Sequence, residues 1–135
     1  MLSQEVDWHE IELLVKNISQ KITKSSRTFS SITTLSRGGL IPARLIADQL
    51  GIKKIYVDKN SISANSLFVD DIFDTGNTFN KIIKRVDIPS KFVYVTLYAR
   101  RGKKYPEQLV YAKQTDDDEY VVFPWDKLEF ERSQK

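Results

Sequence analysis

The run Ser66-Leu67-Phe68-Val69-Asp70-Asp71-Ile72-Phe73-Asp74-Thr75-Gly76-Asn77-Thr78 constrains this chain more than any other stretch. Residues 66–69 form a short apolar run suited to a buried strand. Two adjacent carboxylates follow, where that strand is expected to end. A small-residue loop, Asp74 to Thr78, then leads into a helix-like run over residues 79–86. Strand, acidic pair, loop and helix start together suit a phosphorylated sugar in an α/β protein. Backbone N–H groups at the loop and helix start can point at a phosphate, and the helix dipole favours its charge. Gly76 lets the backbone approach a ligand closely. Thr75 and Thr78 add hydroxyl donors. Asp70 and Asp71 repel a phosphate, so they suit ribose hydroxyls or a hard cation such as Mg²⁺. The same residues also suit a plain helix cap and polar loop. On spacing alone the two readings stand level.

Residues 8–22 place Trp8, Ile11, Leu14, Val15, Ile18 and Ile22 at the spacing of an amphipathic helix, with Asp7 as its cap. His9, the single histidine, has no partner at metal-ligand spacing. Residues 29–35 predict a β-branched strand. Ser36-Arg37-Gly38-Gly39 then leads to a helix over residues 40–50, with Pro42 near its start and Gly51 as its stop. This is either a plain strand-turn-helix connection or a second anion loop, with Arg37 as a cationic donor. A short strand over residues 53–58, a polar turn over 59–65 and a strong strand over 92–98 follow. Beyond them lie a basic loop over 100–106, a further strand near 109–112, an acidic stretch over 114–119, an apolar patch over 120–126 and a charged tail.

Alternating helices and strands predict an α/β fold, a parallel-dominated sheet with helices on both faces. Ligands in such sheets sit at the carboxyl ends of strands. The loops at Ser36, Asp70 and Arg100 all follow strands. At 135 residues the chain is read as a single domain over 1–135. Hydrophobic residues at 41% and charged residues at 29% exclude a disordered or membrane profile. No stretch reaches the roughly 20 apolar residues of a membrane span, and no signal peptide is recognised. The absence of cysteine excludes disulfides and thiolate chemistry, which makes an intracellular, cytoplasmic setting the expectation. A net charge of +3 is mild and scattered, suiting a small polyanion; nucleic acid is not an expected partner.

Val69-Asp70-Asp71-Ile72-Phe73-Asp74-Thr75-Gly76-Asn77-Thr78 resembles the signature by which type I phosphoribosyltransferases bind phosphoribosyl pyrophosphate (PRPP). Ser36-Arg37-Gly38-Gly39-Leu40-Ile41-Pro42 resembles the pyrophosphate loop of the bacterial xanthine/guanine (6-oxopurine) group, in which that loop holds a cis peptide. Phe123-Pro124-Trp125-Asp126 is similar to that group's closing segment. The resemblance implies a PRPP-binding core over about 28–100 and a purine-side segment over about 100–126. It implies PRPP binding by Ser36, Arg37, Gly38, Asp70, Asp71, Asp74, Thr75, Gly76, Asn77 and Thr78, with Asp71 and Asp70 holding Mg²⁺ partly through water. Asp74 and Arg37 would serve the chemistry. Arg100 stands where the family has a lysine that donates to the purine 6-oxo group, and Tyr120 where an aromatic ring stacks on the base. The implied reaction moves the phosphoribosyl group of PRPP to a 6-oxopurine, releasing pyrophosphate. A homodimer or higher homo-oligomer is what the family suggests.

One departure stands out. The family's long mobile lid, which closes over the reaction, is missing or trimmed here, since residues 51–67 leave room only for a short strand and a turn. Either a partner subunit supplies cover, or the activity is weak, or the protein only binds. The alternative function is therefore a non-catalytic PRPP- or nucleotide-binding regulator on the same fold.

Overall fold

A computed structural model describes residues 3–134. The chain runs through β1 (Ser3–Glu5), α1 (Trp8–Lys24), β2 (Ser31–Thr34), α2 (Leu40–Leu50), β3 (Ile55–Val57) and β4 (Ser66–Phe73). It continues through α3 (Asn77–Ile83), β5 (Tyr94–Ala99), β6 (Leu109–Gln114), β7 (Tyr120–Val122) and α4 (Lys127–Ser133). The Asp7 side chain accepts from Glu10 N at the start of α1, and Gly51 ends α2 in the left-handed conformation at φ 70°. Both ends follow from residue type: a short carboxylate caps free N–H groups, and glycine turns left-handed without a Cβ penalty.

Five strands form one parallel sheet in the order β3-β2-β4-β5-β6. Helices α1 and α2 cover one face, where Ile11, Leu14, Ile18 and Ile46 join Ile32, Leu67, Val69 and Val95 in one core. On the other face α3 contributes Phe79 and Ile82 to a second core with Phe68, Phe92 and Tyr94. Phe68 stacks on Tyr94 at 5.0 Å, and the edge of Phe79 meets Tyr94 at 5.2 Å. This is the two-faced α/β sheet expected from the alternation of elements.

Two differences from the sequence expectation matter for the site. Strand β4 does not stop at Val69. Its pairing with β2 ends at Thr34↔Val69, but its pairing with β5 continues through Asp70↔Thr96 to Phe73↔Ala99. The ladder on the β5 side carries the acidic pair inside the strand, while β2 turns away and opens a crevice beside it. The connection from β2 leads outward to β3, whereas β4 lies on the other side of β2, so the crevice is the switch point of the sheet. The second difference is at the chain's two ends. Strand β1 pairs with β7 in a separate parallel sheet, from Ser3↔Tyr120 to Glu5↔Val122, and the charged tail forms α4.

Candidate active site

The two loops that the sequence singles out meet at the crevice. A Cβ on Gly38 would lie 2.7 Å from Asp71 Oδ2, and one on Gly39 would lie 2.9 Å from the Val69 carbonyl and run into Thr34 Oγ1. Thr34 Oγ1 itself donates to the Val69 carbonyl at 2.6 Å. The Ser36-to-Gly39 loop thus rests directly on β4 and its acidic pair, and only glycine allows that approach. The Ser36–Arg37 peptide is cis, as the resemblance implies.

Asp70 and Asp71 are satisfied mainly by their own strand. Asp71 N donates to Asp70 Oδ1 at 2.9 Å, Ile72 N donates to Asp71 Oδ1 at 2.8 Å, and the Tyr94 hydroxyl donates to Asp70 Oδ2 at 3.0 Å. Burial pushes the Asp70 carboxyl above its ordinary value. Burial and then the neighbouring Asp70 charge push Asp71 up to about 8. Burial and the same charge raise the Tyr94 hydroxyl, which stays a donor. Adjacent desolvated carboxylates with no cationic partner among the described residues fit a hard cation, which would relieve their repulsion. No group of three or more metal-ligating side chains occurs among the described residues. A cation held here would draw its other ligands from substrate and water.

Gly76, at φ 90°, is the N-cap of α3, and no side chain caps that helix. Thr75 Oγ1 accepts from Asn77 N at 3.2 Å, which folds the loop back on itself. Asp70, Asp71, Asp74, Thr75, Gly76, Asn77 and Thr78 line a cavity of about 300 Å³ together with Ser36 and Gly38. Arg37 lies outside these walls. It is exposed beside them, and its Nη2 donates to Glu129 Oε2 on α4 at 3.3 Å.

A second cavity of about 780 Å³ adjoins the first, walled by Asp74, Arg100, Lys103, residues 117–119 and Tyr120. Asp74 belongs to both. Arg100 is buried, and its guanidinium is largely engaged by this chain. Nε donates to Asp74 Oδ1 at 3.0 Å, and Nη1 donates to the carbonyls of Glu119 at 2.7 Å and Asp117 at 3.2 Å. Nη2 makes only a 3.5 Å contact with Asp74 Oδ2. Arg100 therefore ties the 117–119 loop to Asp74, and Nη2 is its least engaged nitrogen. Tyr120 stands 48% exposed at the start of β7, one ring face stacked on Phe130 at 5.5 Å. Trp125 packs on Phe123 at 4.9 Å and near Trp8 at 6.0 Å, and it also lines a cavity of about 470 Å³ with Arg37, Gly38 and Tyr120.

Sequence reasoning missed three contributors. Lys103, part of the basic loop, stands on the wall of the second cavity and has no hydrogen-bond partner among the described residues. Asp58 follows β3 at φ 55°, a left-handed position that a short carboxylate tolerates. Its carboxylate accepts from Ser36 N at 2.9 Å and from the Ser36 hydroxyl, and these two bonds hold its carboxyl below the usual value. Phe130 lies in the charged tail, where no sequence pattern marks it. Only its position, once α4 forms, reveals it.

Residues 58–65 replace any long lid, and they are fastened down. Ile62 N donates to the Arg85 carbonyl and Asp87 N to the Ile62 carbonyl, both at 3.0 Å. Ala64 N donates to Asp87 Oδ1 at 2.8 Å, and the Ile62 and Ala64 side chains are buried.

No protein-family model matches the chain. It is 30% identical over 140 residues to a xanthine-guanine phosphoribosyltransferase of Chromohalobacter salexigens, covering 90% of this chain and 82% of that one. A second relative of the same name, from Gluconobacter oxydans, is 26% identical, covering 90% and 83%. Among solved structures the fold is similar to a purine phosphoribosyltransferase of Pyrococcus horikoshii, at TM-score 0.73 and 21% identity, covering 93% and 94%. It is also similar to the xanthine-guanine-hypoxanthine phosphoribosyltransferase of Helicobacter pylori, at TM-score 0.76 and 16% identity, covering 97% and 99%.

Proposed function

The chain belongs to the xanthine-guanine phosphoribosyltransferase family, and from that premise we propose that it transfers the phosphoribosyl group of PRPP to a 6-oxopurine and releases pyrophosphate. The observation that carries this reading is the position of Asp74, which walls both the phosphate-side and the base-side cavity. A bond made between a sugar in one and a base in the other forms beside its carboxylate.

In this reading the 5-phosphate sits against Thr75, Gly76, Asn77 and Thr78 at the uncapped start of α3, and the ribose hydroxyls face Asp70 and Asp71. Ser36, Gly38 and Arg37 receive the pyrophosphate, where donors aimed at the departing oxygen stabilise its growing charge. A purine ring nitrogen attacks C1 of the ribose while the C1–O bond breaks and its electron pair leaves with pyrophosphate. The ring N–H proton passes to Asp74. Tyr120 stacks on the base, and Arg100 and Lys103 offer cationic donors to its oxo group. Residues 28–100 thus serve PRPP, and about 100–126 serve the base. Asp71 and Asp70 would hold Mg²⁺, partly through water, and a bound cation neutralises charge on the pyrophosphate. The cytoplasmic setting expected from composition and a homodimeric or larger assembly belong to the same proposal; light scattering checks the assembly. No helix among the described residues is long and apolar enough to cross a membrane. No observation favours the non-catalytic alternative.

The test is incubation with PRPP and Mg²⁺, with and without hypoxanthine, guanine or xanthine, following pyrophosphate and nucleotide together. Nucleotide formed in step with pyrophosphate is the expected result. Pyrophosphate without nucleotide would show that water, not a purine, is the acceptor. Binding of PRPP with neither product would restore the regulatory reading.

A further inference from the structure

We propose that Phe130 is a positioning residue for the purine: α4 braces its ring against one face of Tyr120 and so fixes the platform on which the base stacks from the other side. The inference rests on the transferase reading above, and it bears on what stabilises the site in a chain whose β3–β4 loop is too short and too firmly fastened to swing over it.

Two contacts on neighbouring residues of α4 support it. The Phe130 and Tyr120 rings lie nearly parallel, 15° apart with centroids at 5.5 Å. Phe130 is not part of the base-side cavity wall, whereas Tyr120 is. Tyr120 also lines the cavity of about 470 Å³ beside Arg37, and Phe130 walls neither of the two. One residue earlier, Glu129 Oε2 accepts from Arg37 Nη2 at 3.3 Å in a solvent-exposed ion pair that links α4 to the loop of Ser36 to Gly39. Among the described residues one terminal nitrogen of Arg37 is engaged, so the remaining donors of its fork stay available to an anion. The helix has no buried residues of its own. The described side chains that hold it to the site thus include these two, a stack on the base side and an ion pair on the phosphate side. Tyr120 sits at the start of a three-residue strand and is about half exposed. Without a backing ring its side chain would keep several rotamers, and a base would have to order it on binding.

The test uses Phe130→Ala, Phe130→Leu, Phe130→Trp and Glu129→Gln in the full chain, with KM for guanine and for PRPP measured separately. Because α4 buries none of its residues, the melting temperature of Phe130→Ala should stay close to wild type, and this is checked first. Losing one stacked aromatic pair predicts a rise in purine KM of about 2- to 10-fold, with PRPP KM unchanged. Phe130→Leu keeps bulk but not the flat face and should resemble Phe130→Ala; Phe130→Trp should restore the wild-type value. Glu129→Gln loosens the brace and should shift purine KM in the same direction by less. Unchanged purine KM in Phe130→Ala, or a lower one, would overturn the proposal, as would equal rises in both KM values. Wild-type protein that forms no nucleotide would overturn the transferase reading and this proposal with it. Wild-type activity with an unaffected Phe130→Ala would overturn the proposal alone.

Discussion

On one side of Asp74 the cleft is walled by residues of two loops, and on the other by residues drawn from separate parts of the chain. The phosphate side draws on two contiguous loops, Ser36 to Gly39 and Asp70 to Thr78, pressed together so closely that Gly38 has no room for a Cβ against Asp71. The base side gathers Asp74, Arg100, Lys103 and Tyr120 from separate parts of the chain, with Phe130 behind Tyr120. The first wall is rigid because its geometry is set by strand ends and glycines. The second is held by one buried guanidinium, which links Asp74 to the carbonyls of Asp117 and Glu119. A polyanion shared by every turnover suits the rigid wall. A wall of side chains can be retuned for a base without disturbing the sheet.

The comparison can be broken most forcefully at Gly39. In Gly39→Ala the new methyl would meet Thr34 Oγ1 and the Val69 carbonyl, both part of the buried β2–β4 ladder. The expected loss is about 3 kcal/mol or more, read as a large fall in melting temperature or as insoluble protein. An unchanged melting temperature would show that the phosphate-side backbone is not rigid. Next comes Asp70→Asn combined with Asp71→Asn, which should weaken PRPP binding in Mg²⁺ more than about 100-fold. Calorimetry checks it, and wild-type affinity in the double variant would remove the acidic pair from the site.

On the base side, Tyr120→Ala should weaken purine binding about 10-fold, the scale of one base–aromatic stack, and leave PRPP binding alone. Equal losses for both ligands would mean that the two walls are not separable. The smallest effect concerns pH. Burial and the Asp70 charge raise the Asp71 carboxyl to about 8, so the folded protein keeps a proton that the unfolded chain releases above its ordinary value of 3.8. The stability tied to this group is therefore complete below that ordinary value and is lost as pH rises toward 8. In EDTA, Asp71→Asn should melt above wild type at pH 8, and the gap should narrow toward pH 5. A gap that widens toward pH 5 would show that Asp71 is ionised and stabilised in the folded state.

Legibility in the sequence followed the same division. The helices over 8–22 and 40–50 and the strands around 31–34, 66–69 and 94–98 were readable because apolar spacing and caps are local signals. The acidic pair and both glycine loops were readable because their chemistry lies in consecutive residues. The continuation of β4 to Phe73 was not, since it depends on a ladder with β5 that runs on after β2 has turned away. Strand β1 escaped notice because Ser3–Glu5 has no strand pattern and exists through its pairing with β7. The resemblance implies that Arg100 donates to the base; that its fork is mostly occupied by Asp74 and two carbonyls depends on where the 117–119 loop folds.

The amino-acid sequence by itself determined α1, α2, most of the central strands, their α/β alternation and the phosphate-side loops, because hydrophobic period, capping and glycine placement act over a few residues. The tertiary structure alone decided that the two loops touch, that Asp74 walls both cavities, that residues 58–65 are stapled to the segment after α3, and that a tail helix backs Tyr120. These are distances between groups far apart in the chain. They depend on strand order and register, which no local pattern encodes.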